Sequence, residues 1–133
     1  MLQISQETVA AIIAHGHREI PNEACGYLAA DADGVIRRHL ELHNLDQAPD
    51  HFTMDPAEQF AAIRRIREEG RQLIAVYHSH PESPARPSEE DIRLAHDPAM
   101  LYLIVSLLPV ASQVRVFRIN QGEVREEELV IVA

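Results

Sequence analysis

The chain holds a single cysteine, Cys25, so it cannot close an internal disulfide. Its stability must come from a packed core, and a reducing, cytoplasmic compartment is the expected setting. No run approaches the ~18 consecutive apolar residues of a membrane-spanning helix. The opening segment, MLQISQETVAAIIAHGHREI, has no basic leader, and polar residues break its apolar stretch every few positions, so no secretory signal is expected. Basic charge is scarce as well: 12 Lys and Arg against 21 Asp and Glu give a formal net charge of −9. Nucleic acid and anionic membrane both need a basic footprint, and this balance argues against either as the main partner. Repeats, low-complexity tracts and linkers are also missing, so residues 1–133 are expected to form one domain. A chain of this length buries about two-thirds of its unfolded surface, enough for a true core.

What is present reads as alternating helices and strands. SQETVAAIIAHGHREI predicts a helix with Ser5 as its N-cap, Glu7 in the first turn and an apolar stripe through Val9, Ile12 and Ile13; Pro21 ends it. EACGYLAAD predicts a short buried strand, Asp33-Gly34 a turn, and VIRRHLELH a partner strand. NLDQAPDHFTM predicts a loop. DPAEQFAAIRRIREEG is the clearest helix, with Asp55 capping, Pro56 at the first helical position and Gly70 as the stop. QLIAVYH and LYLIVSL are buried strands on either side of a short helix in SEEDIRLAH. QVRVFRI, NQG and EVREEELVIV predict a terminal hairpin. The sum is an α+β fold: a mixed sheet of about five or six strands flanked by two longer helices and a short one.

Eight histidines in 133 residues invite an account of each. His78 and His80, separated by one residue, lie at the end of the QLIAVYH strand. In extended chain, residues i and i+2 point to one face, so both imidazoles can meet one metal ion while Ser79 points away. Asp91, in the first turn of the next helix, is the best local third ligand for a zinc site that keeps a fourth position open. Between them, prolines 81, 84 and 87 stiffen the connection. A plainer reading stands beside this one: Ser88 and Asp91 also suit a capping box, and a lone His-x-His is a weak signal. The pair His15 and His17 is predicted to lie on a helix, where i and i+2 stand about 200° apart, so it is expected at the surface and not as a metal pair. His39 and His43 are expected to be structural or exposed, and His51 and His96 have no local partner. Arg64, Arg65, Arg67 and Arg71 are expected to be the solvated face of the second long helix.

Taken together, HSHPESPARPSEED has the form His-x-His, seven residues, Ser, two residues, Asp, and a glutamate lies upstream in PNEACGYL. This pattern resembles the JAMM (MPN-plus) zinc metallopeptidase family, small stand-alone prokaryotic type, over nearly the whole chain. The resemblance implies a cytidine deaminase-like fold with a curved sheet, Zn2+ held by His78, His80 and Asp91, Glu23 as general base acting through the metal's water, and Ser88 as an oxyanion donor. Cys25, two residues beyond Glu23, is expected to be a small buried core residue.

Members of that family cleave peptide or isopeptide bonds after the C-terminus of ubiquitin-like proteins, and some small relatives act on sulfur-carrier proteins. The implied partner is therefore a ubiquitin-like or sulfur-carrier protein with an extended C-terminal tail, with no nucleic acid and no membrane; no oligomeric state is implied. Such a tail could add to a sheet edge beside the metal. Two other classes remain open at this point: a non-catalytic binding or scaffold module, and a metal-dependent enzyme acting on a non-protein substrate.

Overall fold

The computed structural model describes residues 1–109 and 113–133. In chain order the elements are β1 (Leu2–Ser5), α1 (Gln6–Glu19), β2 (Cys25–Ala30), β3 (Val35–Leu42), α2 (Pro56–Glu68), β4 (Gln72–His80), α3 (Glu89–Leu94), β5 (Leu101–Ser106), β6 (Gln113–Asn120), β7 (Glu123–Glu127) and β8 (Leu129–Val132). The strands form one mixed sheet in the order β7-β6-β5-β4-β2-β3-β1-β8.

The fold is α+β as expected, but the sheet has eight strands, not five or six. Two four-residue pieces account for the difference. Leu2–Ser5 pairs in parallel with both β3 and β8. The terminal apolar run does not stay in its hairpin: it parts at Glu128 into β7 and β8, which are opposite edges of the sheet. One residue therefore links the two edges, and the Leu2 amide donates to the Glu128 carbonyl at 2.8 Å. A sheet whose edges lie one residue apart along the chain must curl strongly upon itself.

The two longer helices cover opposite faces. Ser5 caps α1, its hydroxyl accepting from the Thr8 amide at 3.1 Å. Ile12 then packs with Ile4, Leu28, Ile36, Tyr77 and Leu103. Burying one such isoleucine contributes about 1.5–3 kcal/mol. Asp55 caps α2, which brings Ala62 and Ile66 onto Cys25, Tyr27 and Leu40 on the other face. No helix among the described residues is long and apolar enough to cross a membrane.

β4 is the strand that positions the site. Opposite Leu28 and Ala29 its partners are Ala75 and Leu73, so Ile74 is an extra residue that shifts the register. Beyond that bulge alternation is regular. Ala75 and Tyr77 join the α1 side, and Val76 joins the α2 side. His78 and His80 continue the phase of Val76, and Ser79 that of Tyr77. Gly26 faces Tyr77 so closely that a Cβ there would lie 2.3 Å from the Leu40 carbonyl oxygen and 2.5 Å from the tyrosine ring. β4 is flanked by β2 and β5, and the edge strands stand three and four places away from it. A substrate tail has no open edge on this strand to extend.

The expectation that both histidines of the His15–His17 pair lie at the surface needs correction. His17 is exposed, but His15 is buried, with Nδ1 2.7 Å from the Tyr77 hydroxyl. Helical spacing sends the two rings to opposite sides, and one of those sides is the core.

Candidate metal centre

The end of β4 carries His78 and His80, 2% and 4% exposed, with their Nε2 atoms 3.1 Å apart. The third donor comes from α3. Ser88 is its N-cap: its hydroxyl accepts from the Asp91 amide at 3.0 Å, and Asp91 Oδ2 accepts from the Ser88 amide at 2.9 Å. The capping box is therefore real. The same Oδ2 lies 3.1 Å from His78 Nε2 and 3.3 Å from His80 Nε2, so Asp91 caps the helix and faces both imidazoles with one oxygen. The connection between strand and helix is pinned as well as stiff. Ala85 is buried against Ile104, Phe117 and Ile119, and the Ser106 hydroxyl donates to the Ser83 carbonyl.

These distances suit a divalent ion. In a tetrahedral site with bonds of about 2.0–2.1 Å, neighbouring ligand atoms stand about 3.3–3.4 Å apart. Three donors at 3.1–3.3 Å form such a face. His80 is also held in the right tautomer. Its Nδ1 lies 2.8 Å from the Pro84 carbonyl oxygen and must donate to it, which leaves the Nε2 lone pair turned towards the cluster. Burial would raise the Asp91 carboxyl, but the adjoining His78 and His80 imidazoles and the Ser88 amide outweigh it and hold the group well below the carboxylate range. For His80, burial lowers the pKa, but Asp91, the Pro84 carbonyl and Glu23 together raise it. Among the described residues, His78, His80 and Asp91 form the one group of three donors close enough to hold a metal.

Glu23 reaches this cluster from a bend just before β2. It is 3% exposed, Oε2 lies 4.0 Å from His80 Nε2, and Oε1 is buried with no hydrogen-bond partner. Burial pushes its carboxyl up to about 8, with His80 opposing and Asp91 adding to the shift. A buried carboxylate oxygen with nothing to accept from is poised to take a proton. Ser88 keeps its hydroxyl proton, because in the capping bond its oxygen is the acceptor. It shares the wall of one recess with His80. On the other side of the ligands, a groove of about 320 Å³ runs past His78 and Asp91 between Tyr27, Phe52, Met54 and Tyr102.

Cys25 stays out of the cluster. It is fully buried on the α2 side beside the Leu42 carbonyl, and burial pushes its thiol up to about 12. His39 pairs with Glu41, His43 with Glu58, and His51 with Asp46 and Asp50. The expectation that His51 has no local partner needs correction, since Asp50 next to it and Asp46 both lie against its ring. Arg65 and Arg71 pair with Glu69, Arg71 also pairs with Asp31, and Arg64 lies over Phe60. Of Arg64, Arg65, Arg67 and Arg71, two, Arg65 and Arg71, are thus paired with acids. Two residues near Glu23 escaped the sequence reading. Ser79 accepts from the Ala24 amide, and Asn44 donates to the Glu23 carbonyl. Both bond to backbone groups of another segment, which no local spacing reveals.

The chain is similar to several known proteins. A family model described as prokaryotic homologs of the JAB domain matches residues 5–120. The CysO-cysteine peptidase of Mycobacterium tuberculosis is 34% identical over 134 residues, covering 99% of this chain and 92% of that protein. A desampylase of Haloferax volcanii is 31% identical over 111 residues, covering 79% of this chain and 80% of the other. The solution structure of a Desulfitobacterium hafniense protein superposes with a TM-score of 0.90 at 42% identity, covering 99% of this chain and 93% of the other.

Proposed function

Because the chain belongs to the prokaryotic JAB family and is a metallopeptidase, we propose that it hydrolyses a peptide or isopeptide bond at the C-terminus of a ubiquitin-like or sulfur-carrier protein. The observation that carries this reading is the convergence of His78, His80 and Asp91 on one point, with the unpartnered carboxylate of Glu23 beside them. The names of the relatives, a CysO-cysteine peptidase and a desampylase, support the substrate class. The 133 residues act as one domain in a cytoplasmic setting, which suits a lone buried thiol.

His78, His80 and Asp91 would hold Zn2+, which would acidify a water and polarise the scissile carbonyl. Glu23 accepts a proton at its free Oε1 and delivers it to the leaving amine; such acid–base work contributes about 10²–10⁴ in rate. Ser88 donates its hydroxyl proton to the developing oxyanion, worth about 2–4 kcal/mol by comparison with other such donors. The substrate tail follows the groove beside His78 and Asp91, where apolar walls exclude water, since β4 offers no free edge.

Incubation with carrier proteins extended at the C-terminus, followed by intact mass, tests the reading. Release of the extension at the carrier's last residue, abolished when the terminal residues of the tail are deleted, is the expected result. Intact fusions throughout, with zinc present, would overturn it.

A further inference from the structure

We infer that Ser79 and Asn44 are positioning residues for Glu23: one locks the base to the metal-ligand strand, the other locks it to the wall of the substrate groove. The inference rests on the assignment of Glu23 as the base.

Glu23 stands outside any strand, where a backbone is ordinarily free to shift. Here its surroundings leave it no freedom. The Glu23 amide donates to the Ala48 carbonyl at 2.8 Å, and its carbonyl accepts from Asn44 Nδ2 at 3.1 Å. The Ala24 amide donates to Ser79 Oγ at 2.8 Å, and the Ala24 carbonyl accepts from the Ser79 amide at 3.0 Å. Every backbone polar group of Glu23 and Ala24 is thus taken.

Ser79 makes its bond at the point where regular pairing of β2 with β4 ends, at Cys25 and His78. Its hydroxyl stands in for the next ladder carbonyl. Because Ser79 lies between the two histidine ligands, whatever moves them moves the base with them. The serine cannot swing away: it is 1% exposed, and α1 rests on it at Gly16, where a Cβ would come within 3.3 Å of Ser79 Cβ.

Asn44 works from the other side. Its amide also donates to the His51 carbonyl at 3.0 Å, and its Oδ1 accepts from the amides of Asp46 and Thr53. The segment it gathers carries Phe52, whose ring centre is 4.9 Å from that of His78. Asn44 therefore joins Glu23 to the groove beside the metal centre. A reacting group displaced by about 1 Å loses on the order of 10² in rate, so a clamp of this kind should appear in kcat.

The test uses zinc-loaded enzyme and a carrier fusion. Ser79→Ala and Asn44→Asp are compared with wild type for kcat, KM and zinc per chain, alone and combined with Glu23→Gln. Asn44→Asp keeps the acceptor for Asp46 and Thr53 but loses the donor to the Glu23 and His51 carbonyls, so it tests the joint between base and groove should Ser79→Ala fail to fold. Each variant is expected to retain its zinc and to lose about 10- to 100-fold in kcat, with KM within about threefold for Ser79→Ala. In the Glu23→Gln background neither should cost anything more, because a clamp acts only through the group it holds. Wild-type kcat in both variants, or the same loss with and without Glu23, would overturn the inference while leaving the base assignment intact. Full activity in Glu23→Gln alone would overturn the base assignment and the inference with it.

Discussion

The chain contains two His-x-His pairs, and the structure treats them in opposite ways. In α1, His15 and His17 turn apart: one is buried against the Tyr77 hydroxyl and the other faces solvent. In β4, His78 and His80 turn together and bring Nε2 atoms within 3.1 Å. The residues and spacing are the same; the backbone period differs, 3.6 in one and 2 in the other. The element that carries a histidine pair thus decides whether its two rings can converge on one point. The two pairs also meet through β4. Tyr77, the partner of His15, precedes His78, and Gly16 lies against Ser79 between His78 and His80.

The largest effect should come from breaking the strand pair. His78→Ala or His80→Ala removes one of three donors, and metal binding and peptidase activity should both fall to background, measured as zinc per chain and turnover of a carrier fusion. Next comes Glu23→Gln, which should keep zinc and fold while losing about 10²–10⁴ in kcat. Zinc loss in that variant would make Glu23 a ligand, not a base.

The helix pair should give smaller effects, and effects on stability. His15→Ala leaves the buried Tyr77 hydroxyl without a partner and should cost about 1–3 kcal/mol in denaturant unfolding, with turnover retained when the protein is folded. His15 should also set a pH slope. Burial lowers its pKa from 6.5, outweighing the pull of Glu41 in the other direction. Below pH 6.5 the unfolded chain binds a proton that the folded chain still refuses. Stability from this group is therefore complete above 6.5 and declines as pH falls from 6.5 towards the lower folded value. Unfolding midpoints at pH 7.5 and 5.5 should differ less in His15→Gln than in wild type. The smallest effect belongs to His17→Ala, within about 0.5 kcal/mol and with full zinc content.

Much of this was legible in the chain, for identifiable reasons. Ser5, Asp55 and Ser88 announce helix starts because capping is a local bond between near neighbours. His78, His80 and Asp91 are legible because a strand end, a stiff connection and a capped helix together set their approach. β1 and β8 were not, since four residues are too few to show a period and their pairing depends on the sheet curling round. His15 was misplaced because helical geometry says that two rings part, not which one meets the core. Glu23 follows Pro-Asn like any turn acid, and only the resemblance to a known family singled it out. Ser79 and Asn44 stayed hidden because each bonds to main-chain atoms more than twenty residues away in sequence. The capping reading of Asp91 does not exclude the ligand reading, since the oxygen that accepts from the Ser88 amide also faces His78.

The most direct test of the central claim is the metal content of wild-type protein and of His80→Ala, each purified without added metal and measured by elemental mass spectrometry. The account predicts one zinc per chain in the wild type and none in the variant. A wild type that neither holds zinc nor takes it up, or a variant that keeps it, would contradict the assignment of His78, His80 and Asp91 as the metal centre.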